Sequence, residues 1–359
     1  MKKKILTILG TRPELIKMFP IINKLDKKFD NKLVWSGQHY DYAMVKKNFN
    51  DVKLRKPDIK LKINKKKNIF FQVQEKLYYI ILKQRPDAII YHGDTFTTLA
   101  ASLVSNFFFF NVKKIHIEGG YRSEDKNQIE ERARLTSDQL SNIIFVTRKQ
   151  EKENLIKENI RKNIYVVGNS ITDSVSEILK IYKNKKKKIN RYNLENNNFI
   201  YVTIHRSENV DNKKRILTII KIINTLSISY KIIFPIHPRT HKILKKLPVK
   251  LKSNIILVPP ISYSESIYLI SKCFFCFSDS GGLQEEAIIL KKRCLIPSDK
   301  TPHAYYLDKN ANQLININNN NFSSQIKKFI LSVKVKKPKN FSHKKNTSRL
   351  ITNIIKKII

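Results

Sequence analysis

Residues 273–292 read "CFFCFSDSGGLQEEAIILKK". An apolar, strand-like run ends in Ser-Asp-Ser-Gly-Gly, and a helix-forming stretch with two adjacent carboxylates follows at once. A strand that passes through a glycine pair into a helix is the unit of a parallel sheet with crossover helices. Ser280, Gly281 and Gly282 would leave backbone N–H groups bare at the start of that helix, which makes an anion site. Glu286, one turn later, is placed to accept hydrogen bonds from ribose hydroxyls, as an acidic residue does in dinucleotide folds. The pair suits a nucleoside diphosphate better than free phosphate.

The same alternation runs through the whole chain. Strand candidates in the first half are "KKILTIL", "NKLVWS", "DAIIYH", "KKIHIE", "NIIFVT" and "NIYVVG", with helical stretches such as "PELIKMFPIINKLDKKF" between them. The second half offers "FIYVTIH", "KIIFPIH", "NIILVP", "CFFCFS" and "KRCLIP". These runs are continuously apolar, as expected for strands covered on both faces. Between the halves, "YKNKKKKINRYNLENNN" has no apolar face. The reading is α/β: two doubly wound Rossmann-like domains facing across a cleft. The expected boundaries are 1–172, a linker region at 173–198, 199–335, and a C-terminal helix within 340–359 packing back on the first domain.

Composition narrows the function. The chain has 359 residues, 41% of them hydrophobic, which fits folded domains and not a basic tail. Seventy Lys+Arg against 29 Asp+Glu give a net charge of +41. The lysines are scattered through every segment, so the pattern reads as a solvated basic surface and not a nucleic-acid stripe. The apolar run near the N-terminus is too short for a signal core or a membrane span. A cytoplasmic enzyme without specific nucleic-acid or membrane partners is expected. Three cysteines are too few for a disulfide framework. Cys273 and Cys276 read as core residues pointing to opposite faces of a strand. No residue set has metal-ligand spacing.

Average usage of about 7% would give roughly 25 glycines in a chain of this length, and there are eight. Each follows closely on a strand-like run, so they mark candidate site loops. "GTRPELIK" places Arg12 in such a loop and Glu14 in the first turn of a helix. "YHGDTFTT" ends a strand in Asp94, and "IHIEGGYRS" ends another in Glu118. "IEERARLTSD" adds Glu130 and Glu131 at a helix start. Capping and helix-dipole contacts account for some of these carboxylates, but poorly for Glu118. Carboxyl groups converging on one sheet edge are expected to raise one another's pKa, as general acids and bases require. His205 and His237 end successive strands of the second half. His205 suits a hydrogen-bond donor, a cation or a proton-transfer group beside phosphate or sugar.

Taken in order, "GTRPELIKM", "SGQHYDY", "HGDTFTTLA", "IEGGYRS", "IEERARLTSD", "VVGNSITD", "TIHRSENV", "PIHPRT" and "DSGGLQEEA" resemble the non-hydrolysing UDP-N-acetylglucosamine 2-epimerases, whose fold is similar to that of GT-B glycosyltransferases. The resemblance implies inversion at C2 of the sugar through elimination and re-addition of UDP, with no redox cofactor, supplying precursors for surface polysaccharide, in a homodimer. Asp94, Glu118 and Glu130 match the family's catalytic carboxylates. Arg12, Lys17 and His205 would hold the nucleotide sugar, with His205 near the diphosphate and catalytic as well. Ser280, Gly281, Gly282 and Glu286 match the UDP-binding turn, and Gln38 and His39 the region of an allosteric UDP-sugar site. The chain departs from the family at Ser266, Ile129 and "PSDKTPHAYYL", where Ser298 replaces an arginine and His303 is expected to take over the contact of another. A 2-epimerase of a modified UDP-HexNAc, of diacetamido-uronate or fucosamine type, is the close alternative. A GT-B glycosyltransferase is the second class and fits the clustered carboxylates less well.

Overall fold

The computed structural model describes residues 1–38, 49–64, 66–108, 110–123, 128–183, 192–194, 198–299, 307, 311–318, 322–332 and 346–359. The chain forms two compact units, Met1–Ser174 with Ser342–Ile359, and Val175–Phe341.

The first unit runs β1 (Lys4–Leu9), α1 (Arg12–Lys28), β2 (Asp30–Trp35), β3 (Ile59–Lys60), α2 (Ile69–Gln84), β4 (Ala88–His92), α3 (Phe96–Val104), β5 (Lys113–Ile117), α4 (Ile129–Gln139), β6 (Ile143–Val146), α5 (Lys149–Lys157) and β7 (Ile164–Val166), and ends as α6 (Ile171–Lys183) begins. Its seven strands are all parallel, in the order β3-β2-β1-β4-β5-β6-β7. The order reverses direction between β1 and β4, the crevice where ligands bind in open parallel sheets. Both faces are covered. Leu6, Ile8, Val34, Ile89 and Tyr91 pack against Val73, Leu77, Ile81 and Ala100 from α2 and α3.

Helix α1 shows why the chain folds as it does locally. Thr11 caps it, with Glu14 reaching back in a capping box, Pro13 stands in the first turn, and Lys27 and Lys28 end it. Each of these choices satisfies or complements a helix terminus. The buried positions Leu15, Met18, Phe19, Ile22 and Leu25 recur at helical spacing, so one face meets the sheet.

The second unit runs β8 (Phe199–Thr203), α7 (Ser207–Val210), α8 (Lys213–Leu226), β9 (Lys231–Pro235), α9 (Pro238–Leu244), β10 (Ile255–Val258), α10 (Tyr263–Lys272), β11 (Phe275–Ser278), α11 (Gly281–Ile289), β12 (Arg293–Ile296), β13 (Asn312–Leu314) and α12 (Phe322–Leu331). Its six strands are parallel in the order β10-β9-β8-β11-β12-β13, with the reversal between β8 and β11. The two short strands β3 and β13 were not among the sequence candidates. No helix among the described residues is long and apolar enough to cross a membrane.

The stretch expected as a linker from residue 173 is entered through helix α6, in which Val175, Ile178 and Tyr182 recur at helical spacing and are buried. One expectation needs correcting. Cys273 is not in a strand: it caps the end of α10, so its Sγ lies 3.7 Å from that of Cys276 and not on the opposite face. Both are free, fully buried thiols beside Cys294 in one apolar cluster. Burial pushes the Cys276 and Cys294 thiols well up, which leaves them poor nucleophiles.

The last helix, α13 (Thr347–Ile358), belongs to the first unit and lies against α1, with Lys28 Nζ donating to Asn353 Oδ1 at 2.7 Å. Its start is held by Asp173, whose buried carboxylate accepts from Asn346 N at 3.0 Å, Ser348 N at 2.7 Å and Ser348 Oγ at 2.5 Å. Asp173→Ala strands those donors, and we expect a loss of about 1–3 kcal/mol in urea unfolding. Asp173→Asn, which keeps an acceptor oxygen, should lose less.

Candidate active site

At the end of β1 the chain turns through Gly10 and Thr11 into α1. The fully buried Glu14 carboxylate accepts from Gly10 N at 2.8 Å, Thr11 N at 2.6 Å and Thr95 Oγ1 at 2.8 Å, so it ties the β1 turn to the β4 turn. Burial raises its pKa against these hydrogen bonds. Position 10 admits only glycine, because a Cβ there would lie 2.0 Å from Thr97 Oγ1 and 2.4 Å from Ser36 Oγ. Arg12 is half-buried at the first position of α1, and its buried Nε has no partner among the described residues. An orphaned guanidinium donor at a helix start is suited to an anion. Gln38 is placed differently from a free ligand-binding side chain. Its Oε1 accepts from Thr97 N at 3.0 Å and Thr97 Oγ1 at 2.9 Å, and so fixes the start of α3. His39 lies outside the described residues.

Glu118 follows β5 with φ of 66°, a left-handed conformation that a non-glycine residue adopts at a cost. Its carboxylate receives Lys17 Nζ at 2.5 Å on one oxygen and faces His92 Nε2 at 2.9 Å on the other. The His92 contact is close in distance but outside hydrogen-bonding angles. Burial alone would raise the Glu118 pKa. The Lys17 ammonium and the His92 ring overcome it and hold the carboxyl well below its ordinary value. This corrects the expected mutual raising of the carboxyl groups at Glu118, whose neighbours are the Lys17 ammonium and the His92 ring and not other carboxylates.

Asp94, in the β4 turn, pairs with Arg134 of α4. Arg134 also donates to Glu131 at 2.5 Å and lies over the Tyr121 ring, 4.7 Å from its centroid. Glu131 is buried and accepts from Ser123 N at 2.9 Å. Glu130 is exposed in the first turn of α4. The structure therefore brings Lys17, His92 and Glu118 together in one cluster and Asp94, Arg134 and Glu131 in another.

In the second unit the candidate residues follow β8, β9 and β11. Asp279, which sequence reasoning did not single out, organises them. Its buried carboxylate accepts from His205 N at 3.1 Å, Arg206 N at 3.0 Å and Asn209 Nδ2 at 3.0 Å, and lies 3.3 Å from His205 Nδ1. The His205 side chain is 41% exposed, its ring 5.8 Å from that of His237. Burial, then His205 and Arg239, hold the His237 imidazole below its ordinary value. Ser280 caps α11 without a side-chain hydrogen bond to the helix, and Gly281 and Gly282 open its first turn. A Cβ at Gly282 would meet nothing within 4 Å, so the turn faces open space. Glu286 is half-buried one turn on. Ser298 is buried and donates its N–H to Ile296 O at 2.9 Å, and His303 lies outside the described residues.

Signals for the missed residues were present. Arg134 and Asp138 stand three and seven positions after Glu131, on one face of a helix. His92 ends a buried strand beside a glycine turn. Asp279 had no such signal, since a carboxylate among serines reads as loop chemistry. Among the described residues no group of three or more His, Cys, Asp or Glu side chains could hold a metal ion.

Residues 23–356 match the model of a protein family described as UDP-N-acetylglucosamine 2-epimerase. The chain belongs to this family. It is 37% identical over 331 residues to a UDP-N-acetylglucosamine 2-epimerase of Methanocaldococcus jannaschii, covering 88% of this chain and 89% of that one. It is 31% identical over 320 residues to a UDP-2,3-diacetamido-2,3-dideoxy-D-glucuronate 2-epimerase of Pseudomonas aeruginosa, covering 87% and 88%. The solved structure of the M. jannaschii UDP-GlcNAc 2-epimerase in complex with UDP-GlcNAc and UDP superposes with a TM-score of 0.83 at 33% identity, covering 98% of this chain and 99% of that one. The Neisseria meningitidis UDP-GlcNAc 2-epimerase bound to UDP-GlcNAc gives 0.84 at 28% identity over 99% and 100%. This member of the epimerase family is thus an isomerase with two doubly wound, GT-B-like α/β domains.

Lys17 is the cation whose loss should be felt most at Glu118. Lys17→Met leaves the half-buried carboxyl with His92 alone, so its pKa rises toward the ordinary carboxylate value. We expect the acid limb of the pH profile of kcat/KM to move to higher pH. An unmoved limb would show that Lys17 does not set the ionisation of Glu118.

Proposed function

We propose that this epimerase interconverts UDP-N-acetylglucosamine and UDP-N-acetylmannosamine by inversion at C2. The observation that carries the reading is a carboxylate, Glu118, set between Lys17 and His92 at the end of β5, in a chain of the 2-epimerase family. The proton at C2 is weakly acidic, so a positioned base and a stabilised leaving group must share the work. In this reading a carboxylate takes the C2 proton while the C1–O bond breaks and UDP departs, leaving a 2-acetamidoglucal. UDP then returns to C1, and a second acid delivers a proton to C2 from the opposite face. Asp94, Glu118 and Glu130 are the acid–base candidates. Arg12, His205, Ser280, Gly281 and Gly282 receive the diphosphate, and Glu286 the ribose.

The likeness to the P. aeruginosa enzyme, together with Ser298 in place of a family arginine, favours one second reading, a modified UDP-HexNAc as substrate. Outside the site, the enzyme is read as a cytoplasmic homodimer supplying surface polysaccharide. Phe71, Tyr78, Tyr79 and Leu82 are exposed along one stripe of α2, with Phe107 exposed in the loop after α3. A second copy of the chain would cover such a stripe. Tyr79→Glu with Leu82→Arg should convert the dimer to monomers in sedimentation; a wild-type protein that sediments as a monomer contradicts the dimer.

The deciding experiment incubates the protein with UDP-GlcNAc in D₂O and follows C2 by NMR. Deuterium at C2 with formation of UDP-ManNAc is expected; free ManNAc would indicate hydrolysis. Exchange only with a diacetamido substrate would select the second reading, and no exchange with any UDP-HexNAc contradicts both. Asp94→Asn and Glu118→Gln should each slow exchange roughly a thousandfold while retaining UDP. Loss of UDP binding in both would deny them a part in the chemistry.

A further inference from the structure

Behind the two candidate carboxylates lies a buried network that neither takes part in the proposed chemistry nor belongs to the apolar core. His116, in β5, is fully buried. Its Nδ1 lies 2.7 Å from Asp138 Oδ1, and its Nε2 lies 2.8 Å from the carbonyl oxygen of Gly93. Gly93 immediately precedes Asp94 in the β4 turn. The other Asp138 oxygen accepts from Gly120 N at 3.0 Å and pairs with Arg122 Nη2 at 2.9 Å. Gly120 ends the turn that begins at Glu118. One imidazole and one carboxylate therefore grip both turns at once.

The geometry fixes the proton count on the ring. A carbonyl oxygen only accepts, so Nε2 must carry a hydrogen. Nδ1 faces a carboxylate oxygen. That contact is a hydrogen bond if the ring donates, or if Asp138 is itself protonated. Asp138 already receives a backbone N–H and a guanidinium, which favour its anion. Burial pushes the Asp138 pKa up, but His116, Arg122 and the Gly120 N–H pull it below its ordinary value. The proton then sits on Nδ1, and both ring nitrogens are donors. The groups facing the ring are Asp138 from α4, Gly93 O from the β4 turn, and Tyr91 from β4, whose ring lies 5.5 Å away and whose hydroxyl is turned to Ser141. Arg122, beyond Asp138, is itself paired with Glu158. The space is closed on the remaining side: a Cβ at Gly119 would lie 2.4 Å from Asp138 Oδ1 and 3.0 Å from His116 Nδ1.

We propose that His116 is a positioning residue, held as an imidazolium by Asp138, that sets the place of Asp94 relative to Glu118 by holding the Gly93 carbonyl while its partner holds the Gly120 N–H. The inference rests on the reading of Asp94 and Glu118 as the reacting carboxylates. Neither His116 nor Asp138 needs to touch the substrate. A shift of either turn by a fraction of an ångström misplaces one carboxylate and leaves the phosphate contacts intact.

The ring state is read directly from ¹⁵N-histidine-labelled wild-type protein near neutral pH. The His116 resonances are assigned by their loss in His116→Gln or their displacement in Asp138→Asn. Both nitrogens are expected at imidazolium positions with an attached proton; a ring with one bare nitrogen overturns the proposal. Kinetics on UDP-GlcNAc supplies the second arm. His116→Gln cannot donate to both acceptors, and we expect kcat to fall roughly ten- to hundredfold with KM changed by less than about threefold. An unchanged kcat, or a loss confined to KM, overturns the positioning role. If His116→Gln does not fold, Asp138→Asn replaces it. That amide can hold a neutral ring, so the His116 signals should shift to the one-proton pattern with a smaller fall in kcat; a ring still doubly protonated overturns the proposal. Wild-type protein that does not turn over UDP-GlcNAc counts against the proposed function, and the NMR result then decides the inference alone.

Discussion

In both units every strand runs the same way, so every strand releases the chain at the same edge of its sheet. That constraint places Gly10, Gly93 and Glu118 side by side in the first unit, and His205, His237 and Asp279 in the second. The crossover helices start at those same edges and bring their bare N–H groups with them. A site assembled this way needs few dedicated residues, because the fold has already put the turns within reach of one another. What remains is to hold those turns rigidly. Buried polar side chains do this: Glu14 between the β1 and β4 turns, His116 and Asp138 between the β4 and β5 turns, and Asp279 under the His205 loop.

The electrostatic arrangement follows from burial. A carboxylate removed from water reverts to the acid unless a cation or N–H groups hold its charge. Glu118 has Lys17 and His92, and Asp138 has His116 and Arg122. Glu14, held by N–H and hydroxyl donors with the His92 ring acting from a distance, has its pKa raised by burial instead. The lysine-rich surface that gives the chain its net charge contributes little to this pattern. The cations that matter at the site are a few specific ones within 3 Å of a carboxylate.

The order of strands and helices was legible in the sequence because the apolar runs are continuous and the turns between them carry the scarce glycines. Two strands escaped. β3 and β13 are two and three residues long, and pairing at a sheet edge, not an apolar run, makes them strands. The Cys273–Cys276 spacing misled because a helix runs to Lys272 with Cys273 as its cap, and the strand begins only at Phe275. The turns that carry the candidate residues were also legible, since strand-end carboxylates and histidines beside glycines have no better explanation. Their partners were not. Lys17 stands 101 positions from Glu118, and only the sheet topology makes them neighbours. The expectation that carboxyl groups would raise one another failed for that reason: a sequence shows which charges lie near each other along the chain, not across a sheet edge.

The ionisation of Glu118 is the claim on which the chemistry stands, and ¹³C NMR of glutamate-labelled protein tests it most directly. With the Glu118 carboxyl carbon assigned by its loss in Glu118→Gln, the signal should keep its carboxylate position as the pH is lowered through the range in which the exposed glutamates protonate. A Glu118 carboxyl that protonates together with those glutamates, or above them, would contradict the account.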